Sequence, residues 1–170
     1  MTPQEAQVRD ALAGLGIAFE RHEHPPVATA VEADEHWSGI DAAHCKNLFL
    51  RNQKGTRHYL VIVQHRKRVD LRAVAEQIGD GKLSFASPER LMTHLGVTPG
   101  SVSPFGLIND ASREVRVFLD RDLENATRIS FHPNINTVTV VLAFADFERF
   151  LTARGNPVKY VTVSNAALNP

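Results

Sequence analysis

Two apolar runs, Leu48-Phe49-Leu50 and Tyr59-Leu60-Val61-Ile62-Val63, stand either side of Asn52-Gln53-Lys54-Gly55, and no other stretch restricts the fold as much. The intervening residues are turn formers, with Gly55 able to take a left-handed conformation, so the pattern predicts a β-hairpin. Five consecutive apolar residues leave the second strand no polar face, which predicts burial on both sides. Burial of that kind needs a sizeable core, and a chain of 170 residues that is 43% hydrophobic can supply one within a single domain.

The flanking sequence predicts helices and further strands in irregular order. Thr2, Pro3 and Glu5 form a capping box ahead of Val8, Ala11, Leu12 and Leu15, predicting a helix over 3–14. Ile17–His22 reads as a short strand ending before Pro25-Pro26, and Thr29–Glu32 repeats the capping pattern of a second helix. Asp70 caps a helix carrying Leu71, Val74, Ala75 and Ile78, closed by Gly79; Lys82–Phe85 reads as a brief strand, and Ser87-Pro88-Glu89 opens a helix ending at Gly96. Val115, Val117 and Leu119 alternate along a strand, Arg128–Phe131 and Thr137–Leu142 lie at hairpin spacing, Asp146 is placed to cap a last helix, and Tyr160–Val163 reads as an edge strand. Strands in blocks with scattered helices define an α+β class with a mixed, curved, barrel-like sheet flanked by helices. One domain over 1–163 and a flexible tail over 164–170 are expected.

Composition removes several function classes. No run approaches the roughly 20 apolar residues of a membrane helix, and the N-terminus lacks a signal-peptide pattern, so a cytoplasmic protein without membrane contact is expected. A single cysteine, Cys45, excludes an internal disulfide and a multi-cysteine metal cage. His22 and His24 could share a strand face, but no third ligand is identifiable, so neither a metal nor another cofactor is expected. Zero net charge argues against non-specific coating of nucleic acid. Between Lys46 and Arg72, however, eight basic residues face the single acid Asp70, a local excess of seven positive charges. A solvated face is the plain explanation; an anionic ligand is the sharper one.

Three segments could carry chemistry. Leu95–Leu107 holds three glycines and two prolines between a helix and a strand, and such a loop can aim backbone N–H groups at an anion or a developing oxyanion. It matches neither the dinucleotide nor the P-loop fingerprint, and neither Ser101 nor Ser103 sits in a nucleophile elbow. Lys46-Asn47 stands at the start of an apolar strand, at the sheet rim, where an ammonium could hold a phosphate or polarise a carbonyl. His132, in Phe131-His132-Pro133-Asn134-Ile135-Asn136-Thr137, ends one strand beside polar turn residues and could bind substrate or shuttle protons. A structural bend, a surface pair and a packing histidine are the bland alternatives. Cys45 has no assignable partner for nucleophilic chemistry.

Taken in order, Lys46–Leu50, Gly100–Leu107 and Phe131–Thr137 resemble the YbaK-like, prolyl-tRNA synthetase-associated editing family over residues 4–163, and within it the freestanding alanyl-tRNA(Pro) deacylases. The resemblance implies that family's fold and a trans-editing activity, hydrolysis of the ester of mischarged tRNA(Pro), alanyl-tRNA(Pro) first. It implies that Lys46 anchors the tRNA 3′ end beside Asn47, and that Gly100 and Pro104 bound a G-x-x-x-P loop whose amides hold the ester carbonyl. Ser101 is placed with the catalytic loop, and His132 positions substrate. Val102, Ser103, Phe105, Gly106, Asn136 and Thr137 are expected to line the substrate site. Arg51, Lys54, Arg66, Lys67 and Arg68 are expected to form a track for the acceptor stem. Mischarged tRNA(Pro) is the implied partner, with a transient encounter with prolyl-tRNA synthetase. The alternatives are a nucleic-acid-binding module without catalysis, a deacylase for seryl- or cysteinyl-tRNA, and a regulatory partner of a synthetase.

Overall fold

A computed structural model describes residues 1–27 and 30–164. Thr2 caps α1 (Pro3–Gly14) by accepting from the Glu5 amide at 3.2 Å, and Val8 and Leu12 point into the core. The first strand, β1 (Glu20–Glu23), starts later than its apolar run suggests, because Ile17 still bonds back to the Leu12 carbonyl at 3.0 Å and packs in the core. The second helix, α2, covers Ala30–Trp37; its expected cap, Thr29, lies outside the described residues.

The hairpin pairs β2 (Ala43–Asn52) with β3 (His58–Gln64), from Cys45 opposite Gln64 to Arg51 opposite His58. Its turn closes as the Asn52 side-chain oxygen accepts from the Thr56 and Arg57 amides. Then follow α3 (Leu71–Ile78, capped by Asp70), β4 (Leu83–Phe85), α4 (Pro88–Leu95, capped by Ser87) and a 3-10 turn over Pro104–Asn109. The chain continues as β5 (Val115–Asp120), β6 (Arg128–Phe131), β7 (Val138–Ala143), α5 (Phe144–Arg154) and β8 (Val158–Val161).

These strands form one mixed sheet in the order β1-β7-β6-β2-β3-β5-β8, with β4 added to β2. The central strand β3 is buried on both faces as its sequence predicts. Leu60 and Ile62 join Val117, Leu119, Phe105, Phe147 and Phe150 on one side. Tyr59, Val61 and Val63 meet α3 through Val74 and Ala75 on the other. Strand alternation thus divides the core into two layers that hold the sheet rigid between helices. Packing continues to Val163, which is 4% exposed, and 165–170 of the expected tail lie outside the described residues.

Strand β8 runs over Val158–Val161 rather than Tyr160–Val163, and two further boundaries differ from expectation. Helix α5 begins at Phe144, directly off β7, so Asp146 is not its cap; Phe144 is held by the Thr127 carbonyl at 2.9 Å, and Asp146 instead pairs with Arg149. Strand β2 begins at Ala43, because Ala43 and His44 pair in parallel with Ile129 and Ser130 of β6. Lys46 therefore lies within the strand, opposite Val63, rather than at its start.

Candidate active site

The β2–β6 ladder ends at His44, and the next three residues, Cys45, Lys46 and Asn47, form one wall of a cavity of about 320 Å³. Gly100, Val102 and His132 complete it with Val27, Ala33, Trp37 and His65. The segments around Lys46, Gly100 and His132 converge there although they lie far apart in sequence.

Lys46 is half-buried, and burial pulls its ammonium below the ordinary lysine range. Among the described residues it has no hydrogen-bond or ion-pair partner, so this cation is available to an anion or a carbonyl oxygen. The Asn47 side-chain amide donates to the Val102 carbonyl at 3.2 Å, tying β2 to the glycine loop. In that loop Gly100 has φ +89°, a conformation that favours glycine. The Ser101 amide is taken by the Thr98 carbonyl at 3.1 Å, whereas the Gly100 and Val102 amides bond to no other described residue. Two residues that line the cavity thus carry backbone amides without a partner among the described residues.

His132 donates from Nδ1 to the Val138 carbonyl at 2.8 Å, an assignment forced by the carbonyl, which can only accept. Burial holds its pKa below the ordinary histidine value, so the ring is neutral at pH 7 with the Nε2 lone pair available. Cys45 is buried, and burial pushes its thiol far above the usual range, leaving an inert wall rather than a nucleophile.

Other expected residues have structural employment. Ser103 caps the 3-10 turn through the Phe105 amide, and Pro104 opens that turn. Phe105 packs edge-on against Phe131 and Phe150. A side chain at Gly106 would meet the Leu95 carbonyl at 2.9 Å, so this glycine permits close packing on α4. Asn136 is near, its side-chain nitrogen 3.9 Å from where a Gly100 Cβ would sit, while Thr137 faces a separate groove beside Arg21 and Glu23.

The basic segment is divided. Arg51 and Lys54 lie five and eight residues beyond Lys46 toward the hairpin turn, about 16 Å or more away at strand spacing. Arg66, Lys67 and Arg68 follow β3 at the cavity end. Lys67, however, is clamped by Asp120 and Asp122, each at 2.6 Å, and by the Val163 carbonyl at 2.7 Å, so it staples the C-terminal strand rather than joining an open track. Arg66 is 73% exposed and reaches Asp34 of α2 at 3.4 Å.

The sequence reading misses the aromatic wall. Trp37 stacks on His44 at 4.6 Å, meets His65 edge-on at 4.8 Å, and donates to Thr139 at 3.0 Å. Its being the single tryptophan of the chain is the one signal the sequence offers. His24 engages the Pro25 carbonyl and Thr139 with its two ring nitrogens, and half-buried His22 faces Glu20. The described residues with metal-ligand spacing are His94, Asp110 and Glu114, but Asp110 already accepts from the Glu114 and Val115 amides and from Asn156. No helix among the described residues is long and apolar enough to cross a membrane.

The fold is α+β, and one lysine, two loop amides without a partner among the described residues and a histidine line its cavity. Residues 24–150 match the aminoacyl-tRNA editing domain family, and the chain belongs to it. It is 42% identical over 151 residues to the prolyl-tRNA editing protein ProX of Acetoanaerobium sticklandii, covering 86% of this chain and 90% of that protein. The prolyl-tRNA synthetase associated domain-containing protein 1 of Mus musculus is 34% identical over 89% of this chain and 91% of its own length. A solved structure, described as a candidate trans-editing enzyme for prolyl-tRNA synthetase, superposes with a TM-score of 0.72 over 96% of this chain and 98% of its own; at 23% identity that likeness shows the shared fold.

Proposed function

We propose that this chain is a trans-editing deacylase, acting in the cytoplasm, that hydrolyses the ester of mischarged tRNA(Pro), with alanyl-tRNA(Pro) as substrate. The observation that carries this reading is the convergence on one cavity of Lys46 with the Gly100 and Val102 amides, none of which has a partner among the described residues. Relatives named for prolyl-tRNA editing and for association with prolyl-tRNA synthetase support tRNA(Pro) and a transient meeting with the synthetase.

The acceptor end enters with Lys46 on the anionic backbone of the terminal nucleotide. Arg66 and Arg68 lie at the same end of the hairpin to meet the adjoining phosphates. Water, oriented by the substrate's own ribose hydroxyl, attacks the ester carbonyl while the loop amides hold the charge on its oxygen. The acyl C–O bond then breaks, the departing ribose oxygen takes up the water's proton, and the free amino acid leaves. An aminoacyl ester is activated enough that positioning supplies much of the remaining barrier reduction, so no nucleophile–base pair is required. His132, neutral and fixed at Nδ1, positions substrate rather than shuttling protons.

Size decides which amino acid is accepted. Trp37, Ala33 and Val27 line the cavity, and in this reading they are the wall that excludes the bulkier ring of proline while alanine is accepted. Alanyl, seryl, cysteinyl and prolyl esters of the same tRNA(Pro) test this. Alanine should be released fastest and proline at least about a hundredfold more slowly, in line with steric exclusion. Equal release of alanine and proline would remove the size filter. Preference for serine or cysteine would transfer the assignment to those substrates.

A further inference from the structure

We infer that Thr139 is a positioning residue: its buried hydroxyl fastens the cavity wall supplied by 24–37 and so sets how bulky an aminoacyl group the cavity accepts. The inference deepens the deacylase reading and rests on it.

Thr139 interrupts the apolar run of β7. Val138, Val140 and Leu142 join the main core, so strand alternation turns Thr139 to the opposite face, where it is fully buried. Buried hydroxyls are nearly always hydrogen-bonded, and this one has two partners. Trp37 Nε1 lies 3.0 Å from its oxygen and His24 Nε2 lies 2.9 Å from it.

The direction of each hydrogen bond follows from the groups involved. An indole N–H can only donate, so the Thr139 oxygen accepts from Trp37 and its own hydrogen is left for His24. His24 Nδ1 lies 2.9 Å from the Pro25 carbonyl, which can only accept, so in the neutral ring Nδ1 carries the proton and Nε2 the lone pair. The hydrogens thus run one way, from Trp37 through Thr139 and His24 to the Pro25 carbonyl, each with one acceptor. Trp37 and His24 hang on a single oxygen from opposite ends of 24–37, the stretch that gives Val27, Ala33 and Trp37 to the cavity. The remainder of the indole meets rings: His44 lies flat against it at 4.6 Å and 5°, and His65 touches it edge-on. Flat stacking lets a ring slide and turn in its own plane, and the bond to Thr139 removes that freedom.

Thr139→Val keeps the β-branched shape and deletes the hydroxyl, leaving the Trp37 N–H buried without an acceptor. Such an orphan lowers the weight of the native indole orientation by about tenfold. The ratio of kcat/KM for alanyl-tRNA(Pro) to that for prolyl-tRNA(Pro) should therefore fall about tenfold, through faster release of proline, which a mere loss of stability cannot produce. Thr139→Ser retains the hydroxyl and should retain the ratio. Because Trp37 is the single tryptophan, one indole N–H resonance reports the bond directly. It should be protected from solvent exchange in wild-type protein and in Thr139→Ser, and lose that protection in Thr139→Val; the wild-type measurement needs no variant to fold. An unchanged ratio in folded Thr139→Val, an equal loss in Thr139→Ser, or a rapidly exchanging wild-type indole N–H overturns the inference. Equal wild-type release of alanine and proline removes the filter and this role of Thr139 with it. If wild-type protein releases no alanine at all while the indole N–H is protected, the deacylase reading itself fails, an outcome distinct from the others.

Discussion

Lys46→Ala is expected to lower kcat/KM for alanyl-tRNA(Pro) by roughly a hundredfold, the size expected for a charge-assisted hydrogen bond within a partly desolvated site. The protein should remain folded. Lys46 forms no ion pair or hydrogen bond with any described residue, and burial already disfavours its charge, so removing the ammonium relieves a desolvation cost while breaking nothing in the native structure. A thermal midpoint equal to or above that of wild type, joined to the loss of turnover, is the pattern of a residue kept for function at the expense of stability. Lys46→Met makes the same point while keeping the aliphatic volume. Lys46→Arg should restore little, because a planar fork replaces a compact ammonium at one fixed position. Unaltered turnover in Lys46→Ala would remove this residue from the site.

Gly100→Val should cost catalysis as much. Space is not the obstacle: the nearest atom to an added Cβ is the Asn136 side-chain nitrogen at 3.9 Å. Conformation is, since φ is +89° and a β-branched residue resists that region. The backbone must rotate, moving the Gly100 amide and its neighbour Val102 off the ester oxygen. Loss of an oxyanion donor costs about a hundredfold or more in rate. The stability penalty should be about 1–2 kcal/mol, the cost of a left-handed residue with a side chain. Gly100→Ala should fall between wild type and valine. Steady-state rates with a parallel thermal melt distinguish a misplaced loop from an unfolded chain; wild-type rates in Gly100→Val would refute the oxyanion role.

Local chemistry is what the sequence made legible. The hairpin, the helices capped by Thr2, Asp70 and Ser87, and the doubly buried β3 follow from neighbours in the chain. Long-range pairing did not show. β2 begins early because His44 meets Ser130, 86 residues away, and this alone moves Lys46 from the strand start to its interior. Lys67 looked like part of a basic track until folding brought up Asp120 and Asp122, 53 and 55 residues further along. The same limit applies at the cavity. Lys46, Asn47, Gly100, Val102 and His132 could be read from three motifs and their resemblance to a family, whereas Trp37 and His65 carry no local mark of the direction they face. Phe105 and Gly106 share the loop motif yet serve packing, because a motif records proximity in sequence and the 3-10 turn at Pro104 carries them into the core.

The most direct test of the central claim is multiple-turnover deacylation of alanyl-tRNA(Pro) at sub-stoichiometric protein, run beside prolyl-tRNA(Pro) and alanyl-tRNA(Ala). Release of several equivalents of alanine from the first, with the other two left charged, is the predicted result. Bound tRNA without turnover of any of the three would contradict it and make this chain a binding module.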